Sequence, residues 1–78
     1  MTIREIRNSI KDGVYFRERV PSTGNIVESK AISEPDNKGI FIACDDPVPP
    51  EYYPQPTCEI SIYDITAIKI NDQWVEVI

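Results

Sequence analysis

The first ten residues of the chain place apolar positions at a helical period. Three isoleucines recur at i, i+3 and i+7, which puts them on one face of a helix: Ile3, Ile6 and Ile10. Thr2 and Glu5 have the spacing of a capping box, in which each side chain bonds the backbone N–H of the other residue. Gly13 suits a C-terminal cap because glycine adopts the left-handed conformation at low cost. The pattern predicts a short amphipathic helix over residues 3–12.

After Gly13 the apolar positions recur at every second residue, as in half-buried strands. Clusters of turn-forming residues separate three predicted strands, at residues 14–20, 26–32 and 40–44. In the third strand Cys44 alternates with Ile40 and Ile42, so we expect it to be a buried thiol.

The strand pattern resumes near the C-terminus. Alternation predicts strands at residues 59–63, 67–70 and 73–78, with a tight turn over 64–66 between the first two. Asn71 and Asp72 suit a two-residue hairpin turn because both residue types tolerate positive φ. In that register Lys69 faces Trp74, and Ile68 faces Val75.

Five to six short strands, one N-terminal helix and no helix between strands predict a mainly β fold. The expected architecture is a small antiparallel β-barrel or a meander covered by the helix. Residues 59–78 resemble the end of an SH3-like barrel, a likeness of architecture that implies no particular function. A chain of 78 residues is expected to form a single domain over 1–78. Its expected parts are a helix and cap (1–13), three strands (14–45), a loop (46–57) and C-terminal strands (58–78).

The loop at 46–57 is rich in proline and tyrosine. Proline lacks the donor that a central strand needs, so the segment is expected to run extended across the surface. Tyrosine and proline offer rigid contact area at low entropic cost, which suits recognition. With Trp74 as a further interface anchor, the candidate partner-binding residues are Pro49, Pro50, Glu51, Tyr52, Tyr53 and Trp74. The alternatives are tyrosines that fold back over the open end of the barrel and a half-buried Trp74 at the sheet edge.

One face of the first strand carries a second candidate site. Tyr15, Arg17 and Arg19 share that face, and Lys30 lies on the neighbouring strand. An aromatic ring beside two guanidinium groups can clamp a phosphate or stack a base, which suits a nucleotide or another phosphorylated ligand. The alternative is a solvated strand face on which Glu18 and Glu28 neutralise the arginines.

Charge limits the partners. The chain has eight basic and 13 acidic residues, a net charge of −5. Residues 1–38 carry +1, whereas residues 39–78 carry −6 and contain one basic residue, Lys69. Bulk charge therefore disfavours nucleic acid, and the acidic half suits a basic protein surface. Without a signal peptide or an apolar span, we expect a cytoplasmic protein with reduced thiols and no membrane contact.

The chain lacks the residue types and motifs on which common catalytic sites depend. The chain has no histidine, which removes Ser-His and Cys-His nucleophiles and the usual zinc ligand sets. Its three glycines are isolated, so no glycine-rich phosphate loop exists. We therefore expect no enzyme activity, no catalytic residues, no metal and no cofactor.

These patterns suggest two main functional hypotheses and a third alternative. The first is an interaction module, homo-oligomeric in its expected state, that binds and inhibits a partner protein through the loop and the acidic half. In size and charge the chain is comparable with small phage-encoded proteins that block host defence enzymes. The second hypothesis is a binding protein that sequesters a phosphorylated small molecule, and the third is a structural subunit of a homo-oligomeric assembly.

Overall fold

A computed structural model of the protein describes residues 1–45 and 57–77. In these residues the chain forms one α-helix, six β-strands and one 3-10 helix. Their bounds in chain order are α1 (Ile3–Ser9), β1 (Tyr15–Arg19), β2 (Ile26–Ala31), β3 (Ile40–Asp45), β4 (Thr57–Ser61), the 3-10 helix (Ile62–Asp64), β5 (Ile65–Ile70) and β6 (Gln73–Glu76). This confirms the prediction of a mainly β fold with a short N-terminal helix.

The six strands form one antiparallel sheet in the order β4-β3-β2-β1-β5-β6. The first four strands follow one another as a meander, and the chain then crosses by the 3-10 helix so that β5 pairs with β1. In the described residues the edge strands β4 and β6 do not pair with each other, so the barrel alternative is not found. The pairing of β1 with β5 joins the two halves of the chain and decides which side chains become neighbours.

One face of the sheet and the helix enclose the core. Its largest fully buried side chains include Phe16, Phe41 and Ile68, each at most 1% exposed. Ile6 and Ile10 of the predicted helical stripe are equally buried, whereas Ile3 at the start of the helix is 40% exposed. In β1 the core face also carries Glu18, only 7% exposed, on the side opposite the arginines.

The capping box of the helix is confirmed, but the helix is shorter than predicted. The Thr2 hydroxyl accepts from the Glu5 amide, and the Glu5 carboxylate accepts from the Thr2 amide, which lowers the pKa of Glu5. The helix ends at Ser9 because Ile10 turns to an extended conformation that buries its side chain. Gly13, with φ of +94°, lies in the turn that follows and is not the helix cap.

Two local predictions at the C-terminal end had different outcomes. The Asn71-Asp72 turn is confirmed, with φ of 52° and 63°, and so is the facing of Lys69 and Trp74 across it. The tight turn over 64–66 is wrong: the 3-10 helix occupies Ile62–Asp64 and is capped by the Ser61 hydroxyl. Tyr63 therefore leaves the strand and is 67% exposed.

The prediction of a buried Cys44 is also wrong. In β3 the buried residues are Phe41 and Ala43, and Cys44 is half-buried on the other face. Cys44 pairs with Thr57 while Cys58 pairs with Ala43. Because alternate residues of a strand point to opposite faces, the two thiols lie on different sides of the sheet, where a disulfide cannot join them.

The turn before β3 is organised by one carboxylate. Asp36 accepts from the backbone N–H groups of Lys38 and Ile40, at 2.8 and 2.9 Å, and these bonds lower its pKa. The Arg7 guanidinium donates to the Asp36 carbonyl, which ties the helix to this turn.

Asp36→Asn is expected to reduce the acid sensitivity of the fold. The pKa of the Asp36 carboxyl in the folded protein lies below its ordinary value of 3.8, so the carboxylate stabilises the fold at pH values above 3.8. This stabilisation is lost as the pH falls through the pKa that the group has in the folded protein. The check is the urea midpoint of both proteins at about pH 5 and about pH 2, across that window. The wild-type midpoint should fall further than that of the variant, and equal falls would contradict this role of Asp36.

A cationic and aromatic face on the sheet

Side chains from four adjacent strands form a row on the outer face of the sheet, the face away from the core. Lys30 lies opposite Tyr15, and Lys69 lies opposite Trp74. Continuing the β1–β5 register by one residue places Tyr15 opposite Lys69. The row alternates cations and rings, and we call these four residues the cationic–aromatic row: Lys30, Tyr15, Lys69 and Trp74.

Tyr15 is the centre of two cation–π contacts. The Lys30 ammonium lies 6.0 Å from the centroid of the Tyr15 ring, and the Lys69 ammonium lies 5.8 Å from it. These distances are at the outer limit of cation–π attraction, so the contacts orient the lysines more than they stabilise the fold. The ammonium groups remain available to an incoming anion.

Arg17 makes the closest cation–π contact on this face. Its guanidinium carbon lies 4.0 Å from the centroid of the Trp74 ring. To reach Trp74 on β6 the arginine crosses β5, where the residue opposite it is Ala67. Ala67 is 2% exposed although it lies on the outer face, which indicates that the side chains above it cover it. A small residue at this position leaves room for the guanidinium to lie on the ring.

Arg17 also has an acidic neighbour. Its Nε lies 3.9 Å from the Glu28 carboxylate, and both side chains are more than a third exposed. An exposed ion pair at this distance contributes little stability. Together with Trp74, however, Glu28 fixes where the guanidinium lies. Glu18, the other carboxylate that the sequence suggested as a partner for the arginines, lies on the opposite face of β1.

Arg19 shares the face but not the row. Its guanidinium donates to the Gly24 carbonyl at 3.2 Å, and so it points at the turn between β1 and β2. It also lines a cleft of about 380 Å³ with Asp64 and Glu76, so two carboxylates lie at that end of the face. Of the predicted ligand-binding set, the structure therefore brings together Tyr15, Arg17 and Lys30, and separates Arg19.

Two further outcomes concern the predicted sites. Trp74 lies against Arg17. Trp74 was predicted as an anchor for a protein partner and Arg17 as a contact for a phosphorylated ligand, so residues of both predicted sites share one surface. Lys69 was missed as a site residue, although its position opposite Trp74 was readable from the hairpin turn. The predicted loop residues lie outside the described part of the chain: Pro49, Pro50, Glu51, Tyr52 and Tyr53.

Comparisons with protein-family models, with curated proteins and with solved structures found no match to this chain. Within residues 1–45 and 57–77, no three side chains of the types that bind metals come together. In the same residues, no helix has both the length and the hydrophobicity that crossing a membrane requires.

Proposed function

We propose that the protein is a non-enzymatic interaction module that binds a partner protein through the cationic–aromatic row and Arg17. The observation that carries the proposal is the stacking of Arg17 on Trp74, 4.0 Å apart, beside Tyr15. Tryptophan, tyrosine and arginine are the side chains most enriched among the residues that dominate binding energy at protein interfaces. Here all three types occupy neighbouring positions on one face.

The sheet holds these side chains in place before a partner arrives. Each belongs to a strand with its own ladder of backbone hydrogen bonds, and the cross-strand register sets their spacing. Side chains that are already ordered lose less entropy on binding, so more of the contact energy is expressed as affinity.

Apolar residues continue the same face beyond the row. Ile26 on the outer side of β2 is 46% exposed, and Ile32, which follows the strand, is 39% exposed. Exposed isoleucines near the row favour a protein partner over a small molecule, because a partly apolar surface suits extended contact.

Charge favours an acidic contact surface on the partner. The outer face carries the cations Arg17, Arg19, Lys30 and Lys69 on a chain whose net charge is −5. Its carboxylates Glu59, Asp64 and Glu76 lie towards the ends of the face, so the positive excess is confined to the row, where Lys30, Arg17 and Lys69 have Glu28 as their acidic neighbour. The sequence had suggested a basic partner for the acidic half, whereas this face is complementary to acidic side chains. By covering such a surface, a small domain can act as an inhibitor or adaptor.

Trp74→Ala is expected to weaken partner binding at least tenfold, about 1.4 kcal/mol, because it removes the ring and the support for Arg17. The measurement is quantitative capture from an extract of the cells that express the protein, comparing wild type with variants. Tyr63→Ala is the matched control, since Tyr63 is an aromatic residue that is 67% exposed and outside the row. The proposal would be contradicted if Trp74→Ala captured the partner as well as wild type does while Tyr63→Ala captured less of it.

A further inference from the structure

Two adjoining clefts lie where the end of α1 approaches the β5–β6 turn. The first has a volume of about 300 Å³ and is lined by residues that include Asn8, Ser9 and Lys11 from the helix side and Lys69 and Asn71 from the sheet. The second has a volume of about 340 Å³ and reaches Tyr15. They share Val14, Lys69 and Asn71 as walls, so they form one continuous groove, which we call the helix-end groove.

The first cleft has a distinct electrostatic character. Among the described residues its lining contains two ammonium groups, from Lys11 and Lys69, and no carboxylate, whereas the second cleft includes the carboxylate of Asp72. On a protein with a net charge of −5, such a cleft is a local positive site. The carbonyl end of α1 opposes an anion there, but the helix has only seven residues, and a helix end carries a partial charge whereas each ammonium group carries a full one. The two lysines therefore dominate the potential in the cleft.

The second cleft adds a surface for a planar group. Tyr15 is half-buried, and its ring lies next to Lys69, the residue that joins the two clefts. Each cleft has the volume of a small-ligand site, and Val14 and Ile70 give the groove an apolar floor. An aromatic ring stacks on planar groups such as nucleobases.

We propose that the helix-end groove binds a phosphate monoester that carries a planar ring, a ligand of the mononucleotide type. Lys11 and Lys69 hold the phosphate by charge-assisted hydrogen bonds, and the ring stacks on Tyr15. This activity goes beyond the proposed protein binding. Lys69 and Tyr15 belong to both surfaces, whereas Lys11 belongs only to the groove and Trp74 only to the row. A variant at Lys11 and a variant at Trp74 therefore separate the two activities.

The test is a nuclear magnetic resonance titration of the isotopically labelled full chain with adenosine monophosphate, and separately with inorganic phosphate and with adenosine. We expect saturable shifts of the backbone amides of Lys11, Tyr15 and Lys69, and at least tenfold tighter binding of the monophosphate than of either fragment. Lys11→Ala should weaken binding of the monophosphate at least fivefold. Lys38→Ala is the matched control, because it removes the same charge from the exposed turn before β3.

The outcomes are decisive in both directions. Shifts that do not saturate, or the same affinity in Lys11→Ala and Lys38→Ala, would overturn the groove proposal. Binding of inorganic phosphate as tight as that of the monophosphate would overturn the role of Tyr15. Trp74→Ala is expected to keep monophosphate binding while losing the partner protein, so failure of the groove proposal and failure of the proposed function give different results.

Discussion

Replacing Phe16 with alanine is expected to lower the free energy of unfolding by about 3–5 kcal/mol. Phe16 is fully buried, and its ring meets the Phe41 ring edge to face with 5.1 Å between centroids. It lies on β1 between Ser29 of β2 and Ile68 of β5, at the centre of the sheet. Removing the ring leaves a cavity that these neighbours can fill only by moving the two central strand pairs. A loss of this size is a large share of the stability of a small domain.

The measurement is urea unfolding followed by circular dichroism, with Tyr63→Ala as the matched control. Tyr63 is an aromatic residue of similar size that is 67% exposed, so its removal should change the free energy of unfolding by less than about 0.5 kcal/mol. A loss from Phe16→Ala no larger than that of the control would contradict the core described above.

Gly39→Ala is expected to cost about 2–3 kcal/mol, the second largest effect. Gly39 has a φ of +83°, where a residue with a Cβ pays about 1–2 kcal/mol. In addition, a Cβ at this position would lie 2.9 Å from Cγ1 of Ile62, a side chain that is fully buried. The Ile62 side chain can therefore yield only by disturbing the packing around the 3-10 helix.

Gly24→Ala separates the two costs. Gly24 has a similar φ of +75°, but a Cβ there would meet nothing within 4 Å. Its replacement should lower the free energy of unfolding only by the cost of the positive φ, about 1–2 kcal/mol, in the same urea measurement. Equal losses for Gly39→Ala and Gly24→Ala would show that the contact with Ile62 contributes nothing.

Local features of the fold could be predicted because they depend on neighbouring residues. The spacing of Thr2 and Glu5 specifies the helix cap, and Asn71 with Asp72 specifies a turn with two positive φ angles. The same turn also fixes the strand register that places Lys69 opposite Trp74. In each case a few adjacent side chains decide the backbone conformation.

The candidate site could not be predicted from local sequence patterns, because it depends on the pairing of two strands that are distant in the sequence. Lys69 joins Tyr15 only because β5 pairs with β1, strands between which 45 of the 78 residues intervene. Alternation shows which face a residue occupies but not which strand lies beside it. For the same reason Arg17 and Trp74 were predicted for different sites, although their side chains are in contact.

The face of β3 was predicted wrongly for a different reason. Every residue from Ile40 to Cys44 is apolar, so the strand has no alternation to read. A continuous apolar run leaves both registers equally acceptable, and only packing against the rest of the core selects Phe41 and Ala43. Cys44 consequently lies on the outer face, beside Lys30 in the register.

The central claim, that the partner binds on the outer face, is tested most directly by site-specific photo-crosslinking. A photoreactive amino acid replaces Glu28, which is exposed on the outer face beside Arg17, or Lys38, which is exposed in the turn before β3. Irradiation in an extract of the expressing cells should give one discrete crosslinked protein from position 28 and none from position 38. A crosslink of equal yield from both positions, or from position 38 alone, would contradict binding through the cationic–aromatic row.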